Sequence, residues 1–98
     1  MIAQVFASTG TGPVPPQTDE QRKFGEEAMA EGRKFDGNEG CLSLINPATG
    51  DMLVINLFRD ETAMNAFQAY SNKKIAEAEK LGTKVPAPEV YTEVMAFL

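Results

Sequence analysis

Cys41-Leu42-Ser43-Leu44-Ile45, then Asn46-Pro47-Ala48-Thr49-Gly50, then Asp51-Met52-Leu53-Val54-Ile55-Asn56-Leu57-Phe58-Arg59 run on without a gap, and their reading decides the fold. Two apolar runs of strand length flank a turn-rich segment of the size that joins antiparallel strands, so they form a hairpin. Downstream, Asp60 is placed to cap a helix in which Met64, Phe67, Ile75, Ala78 and Leu81 recur near helical spacing, with Gly82 as its stop. Asn72, Lys73 and Lys74 interrupt that stripe, and a bend or break is expected there. Pro86 and Pro88 within residues 83–89 force an extended connection before the β-rich run at residues 90–98.

Upstream, Thr18 followed three residues later by Gln21 is the pattern of a reciprocal capping box, and Asp19 and Glu20 sit where the helix dipole favours negative charge. Phe24, Ala28 and Phe35 fall near one stripe, and Arg33 and Lys34 precede a stop at Gly37, which predicts a helix over roughly residues 19–35. Gly25 and Gly32 each cost about 1 kcal/mol relative to Ala inside a helix, so a close approach to the sheet is expected of them. Residues 2–7 form a short apolar strand. Residues 8–17, with Gly10, Gly12, Pro13, Pro15 and Pro16, resist regular structure and form a semi-rigid loop.

In chain order the elements are β1 (residues 2–7), α1 (19–35), β2 (41–45), β3 (51–59), α2 (61–81) and β4 (90–98). This predicts an α+β, ferredoxin-like βαββαβ fold, with a four-stranded antiparallel sheet and two helices on one face. At 98 residues the chain is expected to be a single domain. Such a domain buries only roughly 60 to 70% of the surface of its unfolded chain.

The uncovered face is the informative one. In β3, Leu53, Ile55 and Leu57 point one way and Met52, Val54, Asn56 and Phe58 the other. In β4, Val90, Thr92, Val94 and Ala96 oppose Tyr91, Glu93, Met95 and Phe97. Neither face alternates as a half-wet sheet should, and Phe58, Met95 and Phe97 are read as lying on a second apolar face. A second copy of the chain is the expected cover, stabilised by about 1.5 to 3 kcal/mol for each large side chain leaving water.

Element order, the Leu53-Val54-Ile55-Asn56-Leu57-Phe58-Arg59-Asp60 strand running into a helix, and Glu89-Val90-Tyr91-Thr92 after a proline linker resemble the dimeric α/β barrel superfamily, which includes antibiotic-biosynthesis-monooxygenase-like domains. The resemblance covers nearly the whole chain and rests on patterns, with no catalytic signature. It implies a homodimer with two sheets face to face and, in many members, a small aromatic or other apolar ligand between sheet and helices. Some members oxidise polyketide-like phenols without a cofactor, some break down haem, and others have no known activity.

Composition narrows the chemistry. A net charge of −5, with basic residues interleaved among acids, repels a phosphate backbone and argues against nucleic acid as a partner. Arg22, Lys23, Arg33 and Lys34 share their predicted helix with Asp19, Glu20, Glu26, Glu27 and Glu31, the pattern of a solvated face. No apolar run approaches the roughly 20 residues that span a bilayer, no signal-like start is present, and lone Cys41 fits a reducing compartment. A cytoplasmic protein without a membrane partner is expected. With no histidine and one cysteine, His triads, Cys-His pairs and usual zinc sites are excluded, and haem lacks its obvious axial ligand. No metal or other cofactor is expected.

Gly10-Thr11-Gly12 lacks the third glycine of a dinucleotide loop and three prolines separate it from the helix. Asp36-Gly37-Asn38-Glu39-Gly40 starts like a calcium loop, but Pro47 stands where the closing acid is required, so it reads as a turn. Glu26-Glu27 and Asp60-Glu61 cannot face each other as an acid and base pair. Glu93 on a covered face needs a partner, for which an ion pair or a wet rim suffices.

The residues expected to reach a cavity are Gln4, Asn56, Tyr70 and Tyr91 as polar groups, with Phe6, Phe58, Phe67 and Met95 as walls. That lining suits an apolar ligand held by a few hydrogen bonds. The leading expectation is a homodimer that binds a small apolar or aromatic molecule. Two alternatives stand beside it: a cofactor-independent monooxygenase in which a tyrosine or asparagine orients a phenol or quinol, and a non-catalytic dimer module whose apolar face only seals two subunits.

Overall fold

In a computed structural model, residues 1–82 and 84–97 are described. The elements are β1 (Ile2–Ser8), α1 (Asp19–Gly32), β2 (Asn38–Ile45), β3 (Met52–Phe58), α2 (Glu61–Lys80) and β4 (Glu89–Tyr91). One sheet in the order β2-β3-β1-β4, antiparallel throughout, carries them, so the fold is α+β and ferredoxin-like. No helix among the described residues is long and apolar enough to cross a membrane.

Local chemistry sets the element ends. Thr18 Oγ1 accepts from the Gln21 amide at 3.1 Å and Gln21 Oε1 accepts from the Thr18 amide at 3.0 Å, closing the capping box. Asp60 Oδ1 accepts from the Ala63 amide at 2.8 Å and starts α2. That helix is unbroken at Asn72–Lys74, contrary to the expected bend. Lys74 does not interrupt the stripe: its ammonium lies over the Phe24 and Tyr70 rings.

The hairpin turn is tied by Asn46, whose carbonyl accepts from Gly50 at 2.7 Å and whose amide donates to the Asp51 carbonyl at 2.9 Å. The loop after β1 lies along this turn. Gly10 donates to Asp51 Oδ1 at 2.7 Å, Gly12 to the Thr49 carbonyl at 3.1 Å and Val14 to the Pro47 carbonyl at 3.0 Å. A Cβ on Gly10 would stand 2.0 Å from the Thr49 oxygen. Gly10-Thr11-Gly12 thus lets two backbones touch.

Boundaries differ from the sequence reading by one residue in β1 and α2 and by more or at both ends in the other four elements. α1 ends at Gly32 rather than Phe35, because the chain turns through Gly37 (φ +82°) and drives Phe35 onto Phe67 and Tyr70, with ring centroids 5.0 and 4.9 Å apart. β2 begins at Asn38, inside the segment read as a turn, where Asn38 Oδ1 accepts from the Gly40 amide and the pairing with β3 slips between them. β3 is slightly shorter than read, stopping at Phe58 before Arg59 turns to Asp36.

β4 is three residues long where a strand to residue 98 was expected. Its register pairs Glu89, Val90 and Tyr91 with Val5, Gln4 and Ala3. In the single chain Met95 and Phe97 are fully exposed, and Glu93 is exposed. The expected positions at Thr83 and Leu98 lie outside the described residues.

Pairing also fixes the faces. Ile2 opposite Phe58, Gln4 opposite Asn56 and Phe6 opposite Val54 share one side, together with Cys41 and Ser43. This is the helix side: Phe58, 1% exposed, packs with Ala63, Met64 and Phe67, flanked by Ile2, Phe35 and Tyr70. The placement of Phe58 on a second, uncovered face is therefore corrected, since Ala63, Met64 and Phe67 of α2 cover it. The opposite side carries Val5, Leu53, Ile55, Leu57, Leu42, Leu44 and Tyr91; Leu57 is buried, while Leu42, Leu44 and Tyr91 are 48%, 50% and 50% exposed and leave this face open.

Candidate functional site

Between the helix side of the sheet and the two helices lies a cleft of about 620 Å³. Phe6 and Val54 contribute to its sheet wall, Phe24 and Met29 to the α1 wall, and Phe67 and Ile75 to the α2 wall. α1 is anchored at its C-terminal end, where Gly32 is its one buried residue. A Cβ added at Gly32 would make ordinary contact, at 3.7 Å, with Asn38 of β2 and the Phe67 ring, and at Gly25 it would meet nothing within 4 Å. The close approach to the sheet expected of both glycines is thus required at neither, and Gly25 borders the open cleft.

The lining is mostly apolar, as suits a small-molecule site. Asn38, Ser43, Asn56, Tyr70 and Ser71 are its polar residues, with Arg33, Glu39 and Lys74 as charged ones. Lys74 Nζ lies 3.3 Å from Glu77 and 3.6 Å from Glu31, and 5.7 and 5.6 Å from the ring centroids of Phe24 and Tyr70. Burial opposes its charge, but Glu77 and Glu31 outweigh that and raise its pKa.

Tyr70 donates its hydroxyl to Glu31 Oε2 at 2.9 Å, with the Ala28 carbonyl at 3.3 Å. Burial first, and then the Glu31 carboxylate, push the Tyr70 phenol up to about 12. The same hydrogen bond, seconded by the Lys74 charge, holds Glu31 below its ordinary range. Cys41 borders the cleft, and burial pushes its thiol up, so it is a neutral wall group and no nucleophile.

The eight residues expected at a cavity are divided by the structure. Phe6, Asn56, Phe67 and Tyr70 line the cleft. Gln4 and Phe58 share the helix side but are packed beneath, at 3% and 1% exposure. Gln4 Oε1 is buried and accepts no hydrogen bond among the described residues. Tyr91 faces the other way, bonded to Glu89 at 2.9 Å, and Met95 lies in the exposed segment after β4. Phe24, Met29, Ile75 and Lys74 were not singled out for a cavity; the helical stripes that held Phe24 and Ile75 signal core as readily as cleft. Among the described residues no cluster of His, Cys, Asp and Glu is placed to hold a metal ion.

No family model and no curated protein matches the chain. Among solved structures it is similar to the structure of Rv0793 from Mycobacterium tuberculosis, with a TM-score of 0.68 over 97% of this chain and 96% of that one. At 15% identity the likeness shows the fold, the four-stranded sheet with two helices, and nothing of the site.

Proposed function

We propose that the chain binds a small apolar or aromatic molecule in the cleft between sheet and helices, and does so as a homodimer of the dimeric α/β barrel class. The cleft itself carries the first part: its lining is mostly aromatic and aliphatic, with Asn56 and Ser71 among its polar residues and Arg33, Glu39 and Lys74 as charged ones, a composition that suits a ligand pocket. The second part is supported by the exposure of Leu42, Leu44 and Tyr91 on the open face and of Met95 and Phe97 beyond β4. A second copy covers both surfaces with the same residues. A reducing, cytoplasmic setting fits the lone half-buried Cys41.

The geometry favours binding over cofactor-free oxidation of a phenol. Such chemistry needs a group to orient or deprotonate the substrate, and Tyr70 has given its hydrogen to Glu31 while Tyr91 faces away. Of the three, Tyr70 and Asn56 border the cleft, and the Tyr70 hydroxyl is already bonded to Glu31. The test is a thermal-shift screen of naphthols, indoles, quinones and flavins against the native chain and Ala28→Trp, which fills the cleft from α1. Binders should stabilise the native chain and lose their effect in the variant; an equal shift in both, or none in either, contradicts the reading.

A further inference from the structure

Ser71 stands on the α2 wall of the cleft, one helical turn from Phe67 and one from Ile75, which line it too. It is 7% exposed, a hydroxyl set in a largely apolar helix face where alanine would make the better helix. A serine so placed can return its hydroxyl to the carbonyl four residues back. Among the described residues this hydroxyl has no hydrogen-bond partner, and it is not sealed off as the Gln4 carbonyl is, so the side it leaves open is the cleft. Its depth follows from the Phe58 and Phe67 rings, whose centroids are 5.4 Å apart. Four residues along α2 advance about 6 Å and two residues along β3 about 6.6 Å, which sets Ser71 and Asn56 at a matching level beyond those rings. Ile75 and Val54 come next on the same two walls. From the Phe58 end the lining therefore runs aromatic, polar, aliphatic.

We infer that Ser71, with Asn56 facing it, donates to an uncharged carbonyl oxygen carried midway along an apolar ligand. The inference rests on the cleft being a binding site. Apolar levels on both sides of the polar one suit a body that is apolar at both ends. The hydroxyl and the Asn56 amide can both donate, and a ketone has no hydrogen of its own left to match. A carboxylate at this level would exchange its water for neutral donors alone, because the cation on that wall, Lys74, is already held by Glu31 and Glu77 at 3.6 and 3.3 Å.

Three compounds test this by equilibrium dialysis against the native chain and Ser71→Ala: benzophenone carries its carbonyl between two rings, diphenylmethane has none, and 4-acetylbiphenyl carries it toward one end. The native chain should bind benzophenone about fivefold tighter than either of the others, or better. In Ser71→Ala the preference over diphenylmethane should fall to about twofold or less through weaker binding of benzophenone, with the fold kept because alanine suits the helix. Equal affinity of the native chain for benzophenone and diphenylmethane overturns the inference and leaves the cleft reading standing. A Ser71→Ala chain that keeps the preference also overturns it, since the hydroxyl is then held within the protein. Binding of 4-acetylbiphenyl as tight as that of benzophenone overturns the midway placement. If none of the three compounds binds the native chain, the cleft reading fails and takes this one with it.

Discussion

Tyr70 on α2 and Glu31 on α1 are joined by a 2.9 Å hydrogen bond across 39 residues of sequence, and this bond ties the two walls of the cleft together. Its protonation behaviour is a direct signature. Tyr70 is raised from an ordinary 10.0 to about 12, so its contribution is fully present below pH 10 and is lost as pH rises through 12. Glu31 is lowered from 4.5, so its share is present above that value and is lost as pH falls through the depressed one. Ultraviolet titration should show one phenol ionising near 12, and Tyr70→Phe should remove that step and lower the melting temperature at neutral pH. A Tyr70 that titrates near 10 contradicts the pairing.

Opposite outcomes are expected for alanine at two glycines. Gly37 has φ +82°, and a Cβ there would lie 2.4 Å from that of Ala63. Gly37→Ala should cost more than about 1 kcal/mol in denaturant unfolding. Gly25 lies mid-helix with open space before it, so Gly25→Ala should stabilise by about 0.5–1 kcal/mol.

Because α1 buries little but Gly32, its cap matters out of proportion. Thr18→Ala should cost about 1 kcal/mol. Hydrogen exchange should quicken across α1 while α2, with Ala63, Met64, Phe67 and Ser71 buried, keeps its protection.

Self-association is expected to depend on the open face. Leu42→Glu with Leu44→Glu should shift the sedimentation profile from dimer to monomer with the circular dichroism unchanged. Persistence of the dimer in the double variant would place the interface elsewhere.

Much of this was legible in the sequence where one residue type does one job. Thr18 with Gln21, Asp60, and Asn46 through Gly50 marked element ends because their side chains or backbones satisfy groups a few residues away. Strand parity was equally legible, and both faces of β3 are apolar as read. Which face the helices take was not, since Phe58 suits either and only packing against Met64 and Phe67 decides. The true length of β4 was hidden for a related reason: residues 92–97 have the composition of a strand, but composition does not state pairing, and β1 pairs with Glu89, Val90 and Tyr91 alone. The cleft was half legible. Phe6, Asn56, Phe67 and Tyr70 reach it, but the commitment of the Tyr70 hydroxyl to Glu31 depends on a helix pairing that no local pattern states.

The most direct test of the central claim is amide and side-chain chemical-shift mapping of the native chain titrated with 2-naphthol. Saturable shifts should concentrate at Phe6, Asn56, Phe67 and Ile75, leaving Leu44 and Tyr91 unmoved. Shifts confined to the open face, or none at millimolar ligand, would contradict a binding cleft between sheet and helices.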